Sequence, residues 1–563
     1  MKNAENAAQH DGRRRGCRYH PSVIRLAVTL SASTSSSTYE DMAAKFFLPT
    51  SRHLQKFKNF GAADGEGPVF SVISNMRTKA AERGFEPDTW DMCGVLSFDA
   101  MTITQKITYN PRTGSIVGLA WERDQENLGV VRDEYIRAAR RAAGDAPGGA
   151  GGGSGELELA KHFNVYYFNS LGRPNFAFPV ARYCMGVITS SSLLDQFDEV
   201  TMQLALRGFC VAVSVCDGAG ENRSFMRSSV SVPASRFFSA EETAKWAAKG
   251  VNMEFLVATE RFDRPGDLYT FFISDFPHAI KKIVNAMEQS SKSSSARDLK
   301  IPAGLEVNNE PFFFKANLKM LQDVWEKYSA CSFSGALQRE RKLTYGHFVK
   351  NAFTRMRVYL SMQILSTSMV RIIDATAKDA SPAVEGLEAG QAYEGVRALC
   401  EKLNRLIDIM NSTTEKDDIE FINAPDHRHL DELMETLAWF YGWKSKLASC
   451  NSLTDKERKS SFFPDGCWAD LQSLVLGFVC ASKFYLNKYP GKLMIARRCS
   501  QDIVEHHFAH VRASRKSGSA VDATQALAAT GAAAARRANG LSRGSHRGAP
   551  APEGGAETLW FKK

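Results

Sequence analysis

Apolar positions along the chain follow two regimes. Through about residue 289, short continuous apolar runs alternate with amphipathic stretches. The runs are Gly94–Phe98 (opening GVLSFDAMT), Phe163–Phe168, the segment around Val211, Ala212, Val213 and Val215, and Leu268–Ile273. Runs of that length and β-branched content predict strands buried on both faces. Ile103–Tyr109 and Ser115–Ala120 flank the turn Asn110-Pro111-Arg112-Thr113-Gly114 and predict a hairpin. Met42, Phe46, Leu54 and Phe57 predict helix across 39–60, split in two by Pro49. Further helices are predicted over Val69–Gly84 and over Ser190–Arg207, the latter with Leu193, Leu194, Phe197, Val200 and Leu204 on one face, a serine cap at residues 190–192 and a stop at Gly208.

From 290 to 495 strand patterns become rare and helical spacing dominates. Met356–Ile373 places Val358, Met362, Leu365, Met369, Ile372 and Ile373 on one face, and Val396–Met410, Leu430–Lys446 and Trp468–Leu486 repeat the pattern. Then Ser500–Val511, SQDIVEHHFAHV, reads as a helix with Ile503, Val504, Phe508 and Val511 as its stripe and Asp502 and Glu505 on a different face.

The order of strands, then helix, then strands predicts an α/β fold: an RNase H-like core interrupted by a large all-helical insertion, with short N-terminal helices and disordered tails. The boundaries expected are 1–38 disordered, 39–88 helical, 89–289 the first part of the core, 290–495 the insertion, 496–515 the last core helix and 516–563 a disordered basic tail. The polar, Arg- and Ser-rich beginning and the Ala/Gly/Ser/Arg-rich end motivate the two outer assignments. The run APGGAGGGSG at 146–155 reads as a flexible linker within the core.

A chain of 563 residues exceeds one compact core. Its 44% hydrophobic and 24% charged content is that of a globular protein, and its net charge of +9 suits a polyanionic partner. The 11 cysteines contain no CxxC pair, and Cys17 with His20 lacks the second half of a zinc site. The most apolar stretch, Leu471–Leu486, is broken by Ser473, Ser482 and Lys483, so no membrane span is expected. No secretory signal is visible, which points to an intracellular chain.

Two strands close on carboxylates: Asp99, and Asp217 in VCDGAGENR. Asp275 follows a third. With Glu505 from the late helix, Asp99 and Asp217 offer three oxygen ligands of the type Mg²⁺ takes. Two such ions, about 3.5–4 Å apart, activate an attacking oxygen and stabilise the leaving one in phosphodiester chemistry. The plainer reading makes Asp217 a turn or helix cap and the other two surface acids. His506 and His510, four apart, read as polar positions beside a core stripe. No P-loop motif is present.

Four blocks in order over residues 94–512 resemble the P-element family of DNA transposases: SFDAMTI followed by ITYNPRTGSIVGLA; VCDGAGENR; Asp275, Pro277 and His278 with Lys281 or Lys282; and Gln501, Asp502, Glu505, Phe508, Val511 and Arg512. The PTSRHL segment at 49–54 is similar to the family's helix-turn-helix region. The resemblance implies a DDE-type transposase, nuclear, acting on DNA as a homo-oligomer, with Asp99, Asp217 and Glu505 as a triad for two Mg²⁺ ions. It also implies a helical insertion that binds GTP as an assembly cofactor, through Lys342, Val358, Ser366, Asp408 and Asn411, with Asp502. Departures are Ala100, where the family has Glu, and the family's THAP zinc finger, which has no counterpart here. The alternative is a catalytically inactive or domesticated relative that binds DNA or GTP.

Overall fold

The structure is a computed structural model that describes residues 19–34, 36–58, 65–110, 115–123, 157–292, 296–307, 310–331, 342–349, 351, 354, 357–376, 391–412, 420–513 and 521–538. The glycine-rich run at 146–155 lies outside these residues. The chain forms two compact units, Met1–Ala212 with Gln501–Lys563, and Val213–Ser500.

In the first unit, β1 (Gly67–Pro68), β2 (Cys93–Thr102), β5 (His162–Ser170) and β6 (Ala177–Met185) lie in the order β1-β6-β5-β2, every pair antiparallel. The hairpin predicted after β2 forms, but as the small separate pair β3 (Thr108–Asn110) and β4 (Ser115–Val117). The strand next to β5 on its other side is β6, which no apolar run announced. β2 and β5 pair over their whole length, Gly94 opposite Ser170 through Thr102 opposite His162.

The basic N-terminal stretch folds as predicted into two short helices, Ser36–Lys45 and Ser51–Lys58, on either side of Pro49. Proline disfavours helical geometry in the residue before it, so the chain turns there, and the Tyr39 hydroxyl caps the turn by donating to the Pro49 carbonyl at 2.5 Å. Both tails were expected to lack structure. A helix at Pro21–Ser33 instead buries Ile24, Ala27 and Val28 with Tyr39, Ala43, Leu48 and Leu54. A second helix, Ala523–Ala538, buries Ala523, Ala526 and Leu527 beside β5 and β6 residues.

The division between units falls within β7 (Cys210–Cys216), after Ala212. In the second unit, β7, β8 (Val232–Pro233), β9 (Leu256–Glu260) and β10 (Tyr269–Ser274) take the order β7-β10-β9-β8. β7 and β10 run parallel, Phe271 opposite Val213 through Ser274 opposite Cys216. The segment 290–495 belongs to this same unit. It is mostly helical, with one departure: β11 (Lys300–Val307) and β12 (Glu310–Lys315) form a two-stranded sheet. The helix predicted over Met356–Ile373 is broken at Leu365 into Val358–Ile364 and Thr367–Thr376.

The Asp465–Lys488 helix lies on the second unit's strands. Gly477 lets it approach the Phe272 carbonyl, where any side chain would collide, and Ser473 Oγ donates to that same carbonyl at 3.1 Å. Tyr485 donates to the Tyr269 carbonyl at 2.5 Å. Among the described residues, no helix is long and apolar enough to cross a membrane.

Candidate functional site

In the first unit, the continuous burial of β2 is interrupted after Phe98 by the half-buried Asp99 and Ala100, before Met101 is buried again. Asp99 therefore sits at a half-buried break within the strand rather than at its end. The Asp502–Ala513 helix is held against these strands by Val504, Phe508 and Val511, which join Met101, Phe163, Val165 and Tyr167 in one buried cluster. Those three positions are spaced 4 and 3 apart, the repeat of one helix face. Asp502 and Glu505 lie off that stripe, Asp502 half-buried and Glu505 exposed.

One turn earlier, Gln501 is almost fully buried and its Nε2 donates to the Phe98 carbonyl at 2.5 Å. The helix carrying Glu505 is thereby tied to the peptide that precedes Asp99, 403 positions away in sequence. His507 faces inward and bonds to Tyr167 Oη and Thr530 Oγ1, both at 3.0 Å. His506 and His510 are exposed.

In the second unit, parallel pairing of β7 with β10 brings two acids to one sheet edge, the Asp275 N–H donating to the Cys216 carbonyl at 2.9 Å. Asp275 is buried and serves as N-cap of the Phe276–Ser290 helix, accepting from the His278 N–H at 3.3 Å and lying 3.0 Å from His278 Nδ1. Pro277 in the first turn, where no N–H is needed, completes a strong helix start. Asp217 is half-buried. Its Oδ1 accepts from the Ala219 N–H at 2.9 Å and from Asn222 Nδ2 at 2.6 Å. That is an Asx turn leading into the Gly220–Ser229 helix, the plainer role foreseen for it. Oδ2 makes no hydrogen bond among the described residues.

The carbonyl of Gly218, the residue after Asp217, is gripped from two sides. Lys282 Nζ donates to it at 2.5 Å, and Arg223 Nη1 donates to it as well. Both cations also reach Asp470 Oδ2, Lys282 at 2.7 Å and Arg223 at 3.4 Å. Of the two lysines left open in the Asp-x-Pro-His block, Lys282 is the one that reaches this loop. Asp470 is 2% exposed, and its Oδ1 has no partner among the described residues. Burial pushes its carboxyl above the usual range, with Lys282 and Arg223 pulling the other way. Sequence reading passed over Asp470, although a signal existed: it is the one charged residue between Asp465 and Lys483 in an otherwise buried helix.

The residues matched to a nucleotide site lie on separate elements. Lys342 is exposed in the turn before the Tyr345–Phe348 helix, and Val358 opens the next helix. Ser366 sits at the break between helices, its hydroxyl donating to the Gln363 carbonyl at 2.7 Å and its carbonyl accepting from Met369 and Val370. Asn404 links this break to the Glu394–Met410 helix: its Oδ1 accepts from the Thr367 N–H at 3.0 Å and its Nδ2 donates to Asp408 Oδ2 at 2.8 Å. Asn411 ends that helix and accepts from Arg497 Nη1 at 2.7 Å. Asp408 is thus linked through Asn404 to the Thr367 next to Ser366, whereas Asn411 bonds to Arg497.

For a divalent ion, the chemistry of the strand-end and helix carboxylates is suitable, since hard cations take oxygen ligands. Among the described residues, no group of three or more His, Cys, Asp or Glu side chains is gathered to hold a metal ion.

No protein-family model matches the chain, and neither does any curated protein sequence. Among solved structures, the Drosophila P element transposase strand transfer complex matches with a TM-score of 0.61 and 16% sequence identity, over 95% of this chain and 95% of that chain. At that identity the likeness is one of fold, and it extends along nearly the whole length of both chains.

Proposed function

We propose that the protein is a P-element-like DDE DNA transposase, cleaving DNA strands and transferring the 3′ ends with Mg²⁺, and using GTP as an assembly cofactor. The observation that carries this reading is the whole-length likeness to a transposase solved in a complex of strand transfer. The strand orders agree with it: β6-β5-β2, all antiparallel, in one unit and β7-β10, parallel, in the other.

In this reading Asp99, Asp217 and Glu505 hold the metal. Mg²⁺ held by these three carboxylates would supply Lewis acidity to the scissile phosphate and to the attacking water. Water attacks phosphorus, the P–O3′ bond breaks and a free 3′-OH leaves. That hydroxyl then attacks a phosphodiester of the target, and one P–O bond forms as another breaks. Asp217 Oδ1 is held in the turn while Oδ2 takes no part in it, and Gln501 ties the Glu505 helix to β2. Exposed Arg52, at the N-terminal helices, contributes to backbone contacts with DNA. The helical segment takes GTP through Lys342, Val358, Ser366, Asp408 and Asn411, with Asp502. DNA ends and target are the partners, the working form is a homo-oligomer on DNA, and the compartment is the nucleus.

The test is Mg²⁺-dependent nicking of duplex DNA by the full chain. Asp99→Asn, Asp217→Asn and Glu505→Gln should each abolish nicking while leaving the melting temperature near the wild-type value. Nicking undiminished in any of the three refutes the triad.

A second reading is a relative that retains DNA or GTP binding without chemistry. It is favoured by the engagement of Asp217 Oδ1 in its own turn. DNA binding by wild-type protein without nicking in Mg²⁺ or Mn²⁺ would select it.

A further inference from the structure

We propose that Asp470, on the Asp465–Lys488 helix, is a positioning residue for Asp217: it anchors Lys282 and Arg223 as a two-cation clamp on the Gly218 carbonyl and thereby fixes the loop that presents the Asp217 carboxylate. This inference deepens the transposase reading and rests on it for the meaning of Asp217. Its geometry lies wholly within the second unit.

Lys282 and Arg223 come from different helices, Phe276–Ser290 and Gly220–Ser229, and converge on the same two acceptors, the Gly218 carbonyl and Asp470 Oδ2. A cation between a carbonyl and a carboxylate takes its direction from the carboxylate, because charge-assisted bonds are the stronger ones. Remove the carboxylate and both long side chains regain rotamers that point to solvent, each being about 30% exposed. The Gly218 carbonyl belongs to the peptide between Gly218 and Ala219, and the Ala219 N–H on that peptide bonds to Asp217 Oδ1. Holding the carbonyl therefore sets the direction of the N–H that orients the carboxylate.

Gly218 supports the same view. A Cβ built there would collide with both Asp470 Oδ2 and Lys282 Nζ, so the absence of a side chain is what allows the clamp to close. Asp470 is an expensive choice for a merely packed helix. It is buried, one of its oxygens lacks a partner among the described residues, and replacing a buried ion pair by apolar groups is often neutral or stabilising. The helix that bears it is part of the segment beyond the last strand of its unit. The inference thus gives that segment a direct hand in placing Asp217.

The experiment compares full-length wild type, Asp470→Asn, the double variant Asp470→Leu/Lys282→Met, and Asp465→Asn as a control on the same helix. It reads melting temperature, hydrogen exchange of the amides at 217–222, and Mg²⁺-dependent nicking. Asp470→Asn should raise exchange at 217–222 on the order of tenfold, with exchange in β9 unchanged. It should lower turnover by about a hundredfold at saturating Mg²⁺. The double variant should melt at or above the wild-type temperature yet keep the fast exchange and the slow turnover. That separates positioning from stability and keeps the test usable if the single variant fails to fold. Asp465→Asn should match wild type in all three. Wild-type exchange at 217–222 in the double variant overturns the proposal, as does double-variant nicking at the wild-type rate. If wild type does not nick DNA, the transposase reading falls, and exchange at 217–222 alone decides whether the clamp exists.

Discussion

Asp217 engages one oxygen of its carboxylate: Oδ1 shapes the turn with Ala219 and Asn222, and Oδ2 takes no part in that network. The turn role and the proposed metal role are compatible because a carboxylate has acceptor sites on both oxygens. The neighbour at 218 has no such latitude. Gly218→Ala should destabilise the protein by about 1–3 kcal/mol, the usual cost of overpacking, measured as a shift of the urea midpoint. A midpoint equal to wild type would mean that the clamp has slack. Elsewhere in the same unit, Glu242 caps the Ala240–Ala248 helix through Ser239 and receives Lys483 Nζ at 2.6 Å. Burial raises its pKa, but Lys483 and Ser239 outweigh it, and the carboxyl ends below its ordinary value of 4.5. A depressed folded pKa stabilises the protein above the unfolded value and loses that contribution as pH falls through the folded one. Glu242→Gln should therefore lower the urea midpoint at neutral pH, and the gap to wild type should close as the pH falls below 4.5. A gap independent of pH would show that the charge is not what stabilises this corner.

The Asp502–Ala513 helix is the element that carries Glu505 in the first unit. Phe508→Ala should cost about 3–5 kcal/mol, as large apolar truncations in cores do, because Phe508 packs among β2 and β5 side chains. Thermal unfolding measures it, and a loss below about 1 kcal/mol would mean the helix is not seated on the sheet. This helix was legible because Val504, Phe508 and Val511 repeat at helical spacing, and β2 and β7 were legible as unbroken apolar runs. β6 was not. Its sequence, AFPVARYCM, holds a proline and an arginine, both poor strand signals. The structure accommodates each by a specific device. Pro179 lies opposite Tyr167, where the register shifts, and Arg182 donates to the Gly65 and Leu527 carbonyls at 3.1 and 3.2 Å. The Ala523–Ala538 helix was missed for the opposite reason: an alanine-rich stretch reads as low complexity, yet alanine has the highest helix propensity and its small side chain suits a tight seat. The clamp around Gly218 was partly legible. Arg223 and the lysine pair stood in recognised blocks, whereas Asp470 lay in a helix read only for its apolar stripe.

At the scale of the whole molecule, a net charge of +9 and a fold shared with a transposase make DNA the polyanion to test. Binding to random duplex should weaken linearly in log Kd against log salt, followed by fluorescence anisotropy, and affinity independent of salt would rule out backbone binding. For the nucleotide, Asp408→Ala should weaken GTP binding by about tenfold in equilibrium dialysis without lowering the melting temperature, since Asp408 is exposed. Unchanged binding would place GTP elsewhere. The central claim is that Asp99, Asp217 and Glu505, separated by hundreds of residues, serve the same metal ions. Iron-directed cleavage tests it most directly: Fe²⁺ replaces Mg²⁺ on the DNA-bound protein, peroxide is added, and the cut sites in the chain are mapped. The expected result is a set of cuts beside all three residues, suppressed together by excess Mg²⁺ and lost together in Asp217→Asn; cuts beside only one of them, or a pattern that Asp217→Asn leaves intact, would contradict the account.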